Sequence, residues 1–545
     1  MSDSVRHWRS AASEIHDAGI TRVYGLPGDD MAAVGELRRA GIAIVITSEQ
    51  RTAAYAAAGD AAIPRAAGGT GVGVVVAGRG PGAAALVPPL LELASGGSAV
   101  LVLVGGAPEG ASERSFQYAP QRAMLAPLSK SYRRLHSGED AGAIVRAALV
   151  EAATAPSGPV VLEIPDAGDG GTSDGGARPP QRPAVVDRPS YDIPLPSVLA
   201  RSRRPVVLVG AGARESGDEV LRFARLLGAP VICTASGRGI IAEDDPAFWG
   251  LSGLYLHPAA RRALEQADLL IVAGSRLEET ATEHLPRIPV LRIDIEPGPL
   301  VGDDETVLIA DVSVIDSWTT DAAALGVGRG WGDVVEQVRT ALGVWRDEVR
   351  SAPDGVAGPH RVGSIMAALA DALPKDAVVC HENGAADMWS YLFPVFRLPP
   401  DSVDIAPSEQ TTLGFGVAAA IGAAHASSRP VVVVCGDGAF STAAHDRSLA
   451  GPGAPRVVYV VFDNGGHGWL ALQDRAVTGA SGVDFAGLAE LAPHDGRGNA
   501  LASRSIARAS DVAAAVEWAL AHSGPTVLIV PCTPDESAPV LAEEW

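Results

Sequence analysis

The stretch Val431-Val-Val-Val-Cys-Gly-Asp-Gly438, followed by Val457-Val-Tyr-Val-Val-Phe-Asp-Asn-Gly-Gly466, decides the fold of this chain. Each half is an apolar, mostly β-branched run that needs cover on both faces, so each reads as a buried strand. Each run ends in a polar, glycine-containing turn. Residues 439–456 between them are long enough for a crossover. A strand, a crossover and a parallel strand bring Asp437 and Asn464 to the same carboxyl-terminal rim of one sheet. One carboxylate, one amide oxygen and a free backbone carbonyl near Gly466 make a hard, all-oxygen site. Mg²⁺ takes such ligands, usually few from protein and the rest from water and phosphate oxygens. Gly436, Gly438 and Gly465 let backbone come close to a diphosphate. A Gly-Asp-Gly by itself reads better as a capped turn, with Asn464 in a plain loop. The strand context and the spacing together favour the metal and diphosphate reading.

Working outward, 545 residues predict about three domains. With 47% hydrophobic and 20% charged residues, each can bury an ordinary core. A net charge of −21 argues against a nucleic-acid partner. Of the cysteines, Cys233 and Cys435 follow apolar runs and read as small buried fillers, and none forms a CxxC pair. That usage predicts a reduced, cytoplasmic protein. Met1 to Ser10 lacks the apolar stretch of a signal peptide, and no apolar run is long enough to span a membrane.

Residues 1–170 alternate strands and helical stretches. Ile42–Thr47, Val72–Val76, Ala99–Val104 and Pro159–Ile164 read as buried parallel strands. Residues 166–188 are rich in Gly, Asp, Pro and Ser and read as a linker. A second alternation occupies 189–325, and an amphipathic helix is expected over Val334 to Val349. A third alternation runs over 358–545. Gly158-Pro-Val-Val-Leu-Glu-Ile-Pro165 and Gly524-Pro-Thr-Val-Leu-Ile-Val-Pro531 echo each other. Two related α/β domains flanking a third is the simplest arrangement.

The Gly-Asp-Gly to Asn spacing closely resembles the diphosphate-anchoring motif of thiamine-diphosphate enzymes. Asp463-Asn464 stands where that family usually has Asn-Asn, and only the second position is its metal ligand. The three-block layout is similar to the acetolactate synthase and pyruvate decarboxylase branch. The resemblance covers nearly the whole chain. It implies three doubly wound parallel-sheet domains: a pyrimidine-binding domain (1–170), a Rossmann-like central domain (189–325) and a diphosphate-binding domain (358–545). It also implies thiamine diphosphate and Mg²⁺ as cofactors and a homodimer or homotetramer. Its metal set would be Asp437, Asn464 and Gly466. Gly436, Gly438, Ala439 and His467 would surround the diphosphate.

Ser48-Glu-Gln-Arg-Thr-Ala-Ala-Tyr-Ala-Ala-Ala-Gly59 looks like the family's glutamate segment. Alone, Glu49 reads as an acid in the first turn of a helix over Thr52 to Ala62, with Ser48 as the cap. The family's glutamate hydrogen-bonds the aminopyrimidine nitrogen and so promotes removal of the thiazolium proton. A poorly solvated cleft suits that role. Thr411-Thr-Leu-Gly-Phe-Gly416 resembles the segment that grips the aminopyrimidine. There Thr411 would offer its carbonyl and Leu413 would bend the cofactor, although Leu413 also reads as core. Gly-Ser is more usual than Thr411-Thr412. Gly25-Leu-Pro-Gly-Asp-Asp30 resembles a loop that places a polar residue, here Asp29, over the reactive carbon; a solvated turn is an equal reading. Gly80-Pro-Gly82 resembles the turn beside the thiazolium, and Phe116-Gln117 a pair that brings Gln117 to substrate.

Some features depart from the decarboxylases. A histidine pair is missing near 105–125, and Leu470 stands where those enzymes carry Glu. Trp469 and Gln473 would share a helix face as pocket candidates. The central Gly210-Ala-Gly-Ala-Arg-Glu-Ser-Gly217 has the wrong glycine spacing for a dinucleotide loop. FAD, which synthase relatives hold near a segment like Gly274-Ser-Arg276, is therefore possible but not favoured. The expected activity is decarboxylation of a 2-oxo acid with carboligation to an acceptor carbonyl compound. Simple decarboxylation and a flavin-dependent oxidase of the pyruvate oxidase type are the alternatives.

Overall fold

The structure, a computed structural model, describes residues 3–26, 28, 31–108, 110–165, 193–296, 298, 304–444, 446, 455–474 and 501–541. The valine-rich runs form central strands, and the helices between them cover the sheet faces. Three parallel six-stranded sheets result. The first contains β1 (Arg22–Leu26), β2 (Ala43–Val45), β3 (Gly73–Ala77), β4 (Val100–Gly106), β5 (Ser131–Arg134) and β6 (Val160–Pro165), in the order β2-β1-β3-β4-β6-β5. The third contains β13 (Val378–His381), β14 (Val403–Ile405), β15 (Val431–Gly436), β16 (Val458–Asp463), β17 (Ala502–Ser505) and β18 (Thr526–Pro531), in the order β14-β13-β15-β16-β18-β17. These are the same order, strand for strand. The echoing Gly-Pro segments are β6 and β18, which occupy the same place in the two sheets.

The central sheet differs. It contains β7 (Pro205–Val209), β8 (Val231–Cys233), β9 (Phe248–Leu251), β10 (Leu269–Ala273), β11 (Val290–Asp294) and β12 (Glu305–Ile309), ordered β12-β11-β10-β7-β8-β9. Counted within the domain, this is the dinucleotide-fold order 3-2-1-4-5-6 read from the other side.

Alternation along the strands sends successive side chains to opposite faces. Val75 and Val102 of the first sheet, and Val433, Cys435 and Val461 of the third, enter one continuous core between those sheets. Val74, Val76 and Leu103 face a second core on the outer side of the first sheet. Val432, Val434 and Val460 join the large core shared with the central domain. In the middle lie the helices Gln50–Ala66 and Phe415–Ala426. A Cβ on Gly59 would stand 1.9 Å from the Ala419 carbonyl oxygen, so the close crossing of these helices depends on small residues.

One expected buried strand differs. Ile42–Thr47 pairs only over Ala43–Val45, and Ile46 is 48% exposed. This segment is the edge of its sheet, with a neighbour on one side only. The glutamate helix runs from Gln50 to Ala66, longer than expected, and the 334–350 helix is present. Cys233, Cys380 and Cys435 are buried and unbridged. Among the described residues no helix is long and apolar enough to cross a membrane. The 166–188 segment lies outside the described residues.

Candidate functional site

The site begins at the ends of β15 and β16. Gly436 pairs with Phe462, so Asp437 and Asp463 leave the sheet side by side, with Asn464 one residue beyond. Asp437 opens the helix Asp437–Ala443 and is 1% exposed. Asn464 holds its own turn through Oδ1, which accepts the Gly466 N–H at 3.2 Å, and Gly465 takes a φ of 77° that suits glycine. A Cβ on Gly438 would lie 2.9 Å from His467 Nδ1 and 3.8 Å from the Gly466 carbonyl oxygen. Asp437, Gly438, Gly466 and His467 are thus drawn together. Among the described residues no group of three His, Cys, Asp or Glu side chains could hold a metal. The mixed set of carboxylate, amide and carbonyl oxygens fits a hard cation that completes its shell from phosphate and water.

The loop after β14 adjoins this rim. A Cβ on Gly414 would stand 2.2 Å from Thr442 Oγ1 of the helix Asp437–Ala443, and Leu413 is 43% exposed beside it. Thr411 has a φ of 43°. A β-branched residue there is strained, and such strain concentrates at functional sites. Behind the loop, buried Glu382 at the end of β13 accepts the N–H groups of Gly414 (3.3 Å) and Val417 (3.1 Å). Burial pushes its carboxyl up to about 8. Asp387, fully buried beside Gly436, is pushed up to about 7 by burial, with Asp437 adding to the rise. Neither acid was singled out in the sequence. Glu382 directly follows a strand, the one local signal available for it. His381 links Ser390 and Asp404, each at 2.9 Å. That row is sealed from solvent, so it braces β13 and β14 and offers no nucleophile.

A second cluster forms at the carboxyl ends of β1 to β4. Glu49 is itself the N-cap of the helix Gln50–Ala66 and makes no side-chain cap bond. This corrects the placement of Ser48 as cap. Glu49 pairs with Arg51 at 2.9 Å and is about a third exposed in the single chain. The Ser48 N–H donates to Asp446 of the third domain at 2.9 Å. A Cβ on Gly82 would lie 3.2 Å from Gln50 Nε2. Gly80 has a φ of 61° and donates its N–H to Gln121 at 2.8 Å. Gln117 lies against it, also with a positive φ, 53°. Phe116 is 66% exposed. Gly28 abuts Gly78, while Asp29 lies outside the described residues. No hydrogen bond or ion pair among the described residues joins Glu49 to residues 411–414, 436–443 or 464–467.

Trp469 is half-buried against the core while Gln473 is exposed. Leu470 and Leu472 are the exposed large apolar residues of the short helix Gly468–Gln473. In the central domain, the Gly210 loop folds into the 3₁₀ turn Ala211–Ser216. Its Gly212 N–H bonds the Gly274 carbonyl at 2.9 Å, and a Cβ on Gly210 would meet that oxygen at 2.4 Å. The two switch-point loops lie backbone to backbone.

Three family profiles match in chain order. The thiamine pyrophosphate enzyme N-terminal TPP binding domain matches residues 9–126, the central domain 195–314 and the C-terminal TPP binding domain 382–530. The probable acetolactate synthase large subunit of Methanocaldococcus jannaschii is 28% identical, over 82% of this chain and 78% of its own length. A Bacillus subtilis protein, YdaP, provisionally named as thiamine pyrophosphate-containing, is 26% identical over 94% of this chain and 89% of its own. The acetolactate synthase large subunit of Corynebacterium glutamicum is 25% identical over 82% and 73%.

Proposed function

Because the chain belongs to the thiamine pyrophosphate enzyme family, we propose that it is a Mg²⁺-dependent carboligase similar to acetolactate synthases. It would take carbon dioxide from a 2-oxo acid and join the remaining acyl fragment to an acceptor carbonyl compound. The observation that carries this reading is the juxtaposition of Asp437 with Asn464 and Gly466 at adjacent strand ends. Asp437, Asn464 and the Gly466 carbonyl would hold the metal. Gly436, Gly438, Ala439 and His467 would line the diphosphate. When bound, thiamine diphosphate supplies the carbon nucleophile and the electron sink.

The chain's own residues do the rest. Leu413 orients the cofactor, Thr411 accepts a hydrogen bond at its carbonyl, and Glu49 holds a proton against the pyrimidine ring. Asp29 and Gln117 would contact substrate. Leu470 presents an apolar side chain where a decarboxylase would present an acid. Proton delivery to the acyl fragment is then slow, and capture by a second carbonyl compound wins. Chromatography of reactions with and without an added acceptor aldehyde or 2-oxo acid tests this. A 2-hydroxy ketone or 2-hydroxy-3-oxo acid is expected when acceptor is present. Free aldehyde as the dominant product in both reactions would make the protein a simple decarboxylase.

The working unit is at least a dimer. Support comes from the large apolar side chains exposed around both half-sites: Met31 (63%) and Ile46 (48%) on one, Leu413 (43%) and Leu470 (42%) on the other. Contact with a second copy would take these side chains out of water. A second copy would bring its Glu49 to this chain's Asp437 rim.

A further inference from the structure

Glu92 lies in the helix Val87–Ser95 of the first domain, 1% exposed. It reaches across the domain boundary into the loop that carries Thr411. Its Oε1 accepts the Ser408 N–H. Its Oε2 accepts the Thr412 N–H at 3.1 Å and the Thr412 hydroxyl at 2.9 Å. No cation pairs with Glu92 among the described residues, so these three donors are the polar partners described for a buried carboxylate. They flank Thr411 on both sides. The turn between them is closed by the Thr411 N–H on the Ser408 carbonyl at 3.0 Å. From the helix that begins after Glu49, the Tyr55 hydroxyl adds a bond to Thr412 Oγ1 at 2.8 Å. From the loop itself, Glu409 reaches the central domain and accepts Thr280 N–H (2.9 Å) and Oγ1–H (2.6 Å). All three domains meet at this one turn.

Thr411 has no reason of its own to adopt a φ of 43°. A β-branched side chain disfavours the left-handed region, and such a conformation persists only when its surroundings over-determine it. We propose that Glu92 is a positioning residue that holds Thr411 in this conformation and thereby aims the Thr411 carbonyl at the cofactor's aminopyrimidine. The inference rests on the reading that this loop grips that ring. A carboxylate suits the task because both oxygens accept. A glutamine would turn an NH₂ group towards one of the N–H donors. Glycine at 411 would need no such clamp, since it takes positive φ freely.

The test uses the full chain as wild type, Glu92→Gln, and Glu92→Gln combined with Thr411→Gly, each checked for fold by far-ultraviolet circular dichroism. Thiamine diphosphate with Mg²⁺ is titrated by calorimetry, and the near-ultraviolet circular dichroism of the bound cofactor is recorded. Glu92→Gln should weaken binding about ten- to a hundredfold, the scale of losing hydrogen bonds to a buried charge. It should also alter the cofactor spectrum. Adding Thr411→Gly should restore most of both. Unchanged affinity in Glu92→Gln overturns the proposal. So does a loss that Thr411→Gly leaves in place, because a carboxylate that merely supports the domain interface would not be relieved by a backbone change at 411. If Glu92→Gln fails to fold, Thr412→Val must show a smaller loss that Thr411→Gly again relieves, or the proposal falls. A wild type that binds no cofactor would instead overturn the proposed function from which this inference starts.

Discussion

Gly422 and Ala56 touch backbone to backbone: a Cβ on Gly422 would stand 1.7 Å from the Ala56 carbonyl oxygen. Gly59 and Ala419 repeat the contact from the other helix, at 1.9 Å. The two helices that start beside Glu49 and beside Leu413 therefore cross without side chains between them. Any side chain at these glycines must push the first and third domains apart, and the starts of both helices with them.

Gly422→Ala should cost about 1–3 kcal/mol, the scale of overpacking a close-packed core. The loss should appear as a lower thermal midpoint, and Gly422→Val should lower it further. A midpoint equal to wild type in Gly422→Val would show that the helices are free to separate at no cost.

Asp437 is buried at a strand-end rim and not within the sheet, so its removal should spare the fold. Asp437→Ala should weaken thiamine diphosphate binding at least about a hundredfold, as when a buried charged partner is lost. Chelating the divalent ion in wild type should have the same effect. Calorimetric titration reads both. Wild-type affinity in the variant would remove the metal assignment.

Glu49 makes no side-chain cap bond to its helix; its carboxylate pairs through Oε1 with Arg51 and is about a third exposed. Glu49→Gln should slow exchange of the bound cofactor's thiazolium proton by at least about a hundredfold, a general acid–base effect. Its helix should remain intact. Deuterium exchange followed by NMR gives the rate. Wild-type exchange would reduce Glu49 to a helix-start acid.

A dimer in which each copy completes the other's site, as proposed, predicts complementation. Glu49→Gln and Asp437→Ala proteins, each inactive, are mixed, dissociated and reassociated. A mixed dimer has one intact site of its two, and random pairing makes half the dimers mixed. About a quarter of wild-type activity should return. No recovery in verified mixed dimers would place each site within a single chain.

Much of this was legible in the residues. The parallel central strands, the β15–β16 rim and the repeat between the outer domains follow from apolar runs, glycines and turn chemistry. These act over a few neighbours and so leave a local mark. The edge strands were harder to read. Ser131–Arg134 and Ala502–Ser505 hold the same place in the two related sheets but are short and polar. An edge strand needs little apolar cover, so periodicity does not reveal it.

The sequence by itself determined which chemical groups are present and which strand ends carry them, because backbone propensity and burial are written in contiguous residues. Only the tertiary structure decided how those groups are held. Nothing near Glu92 in the chain announces that it will bond Thr412, 320 positions away. Nothing near Thr411 announces a left-handed backbone. Nor does local sequence tell that Trp469 turns inward while Leu470 turns out. Those outcomes depend on which surfaces meet when three separately wound sheets pack against one another. That arrangement is set by long-range packing of small residues such as Gly59 and Gly422, and a pattern read along the chain cannot express it.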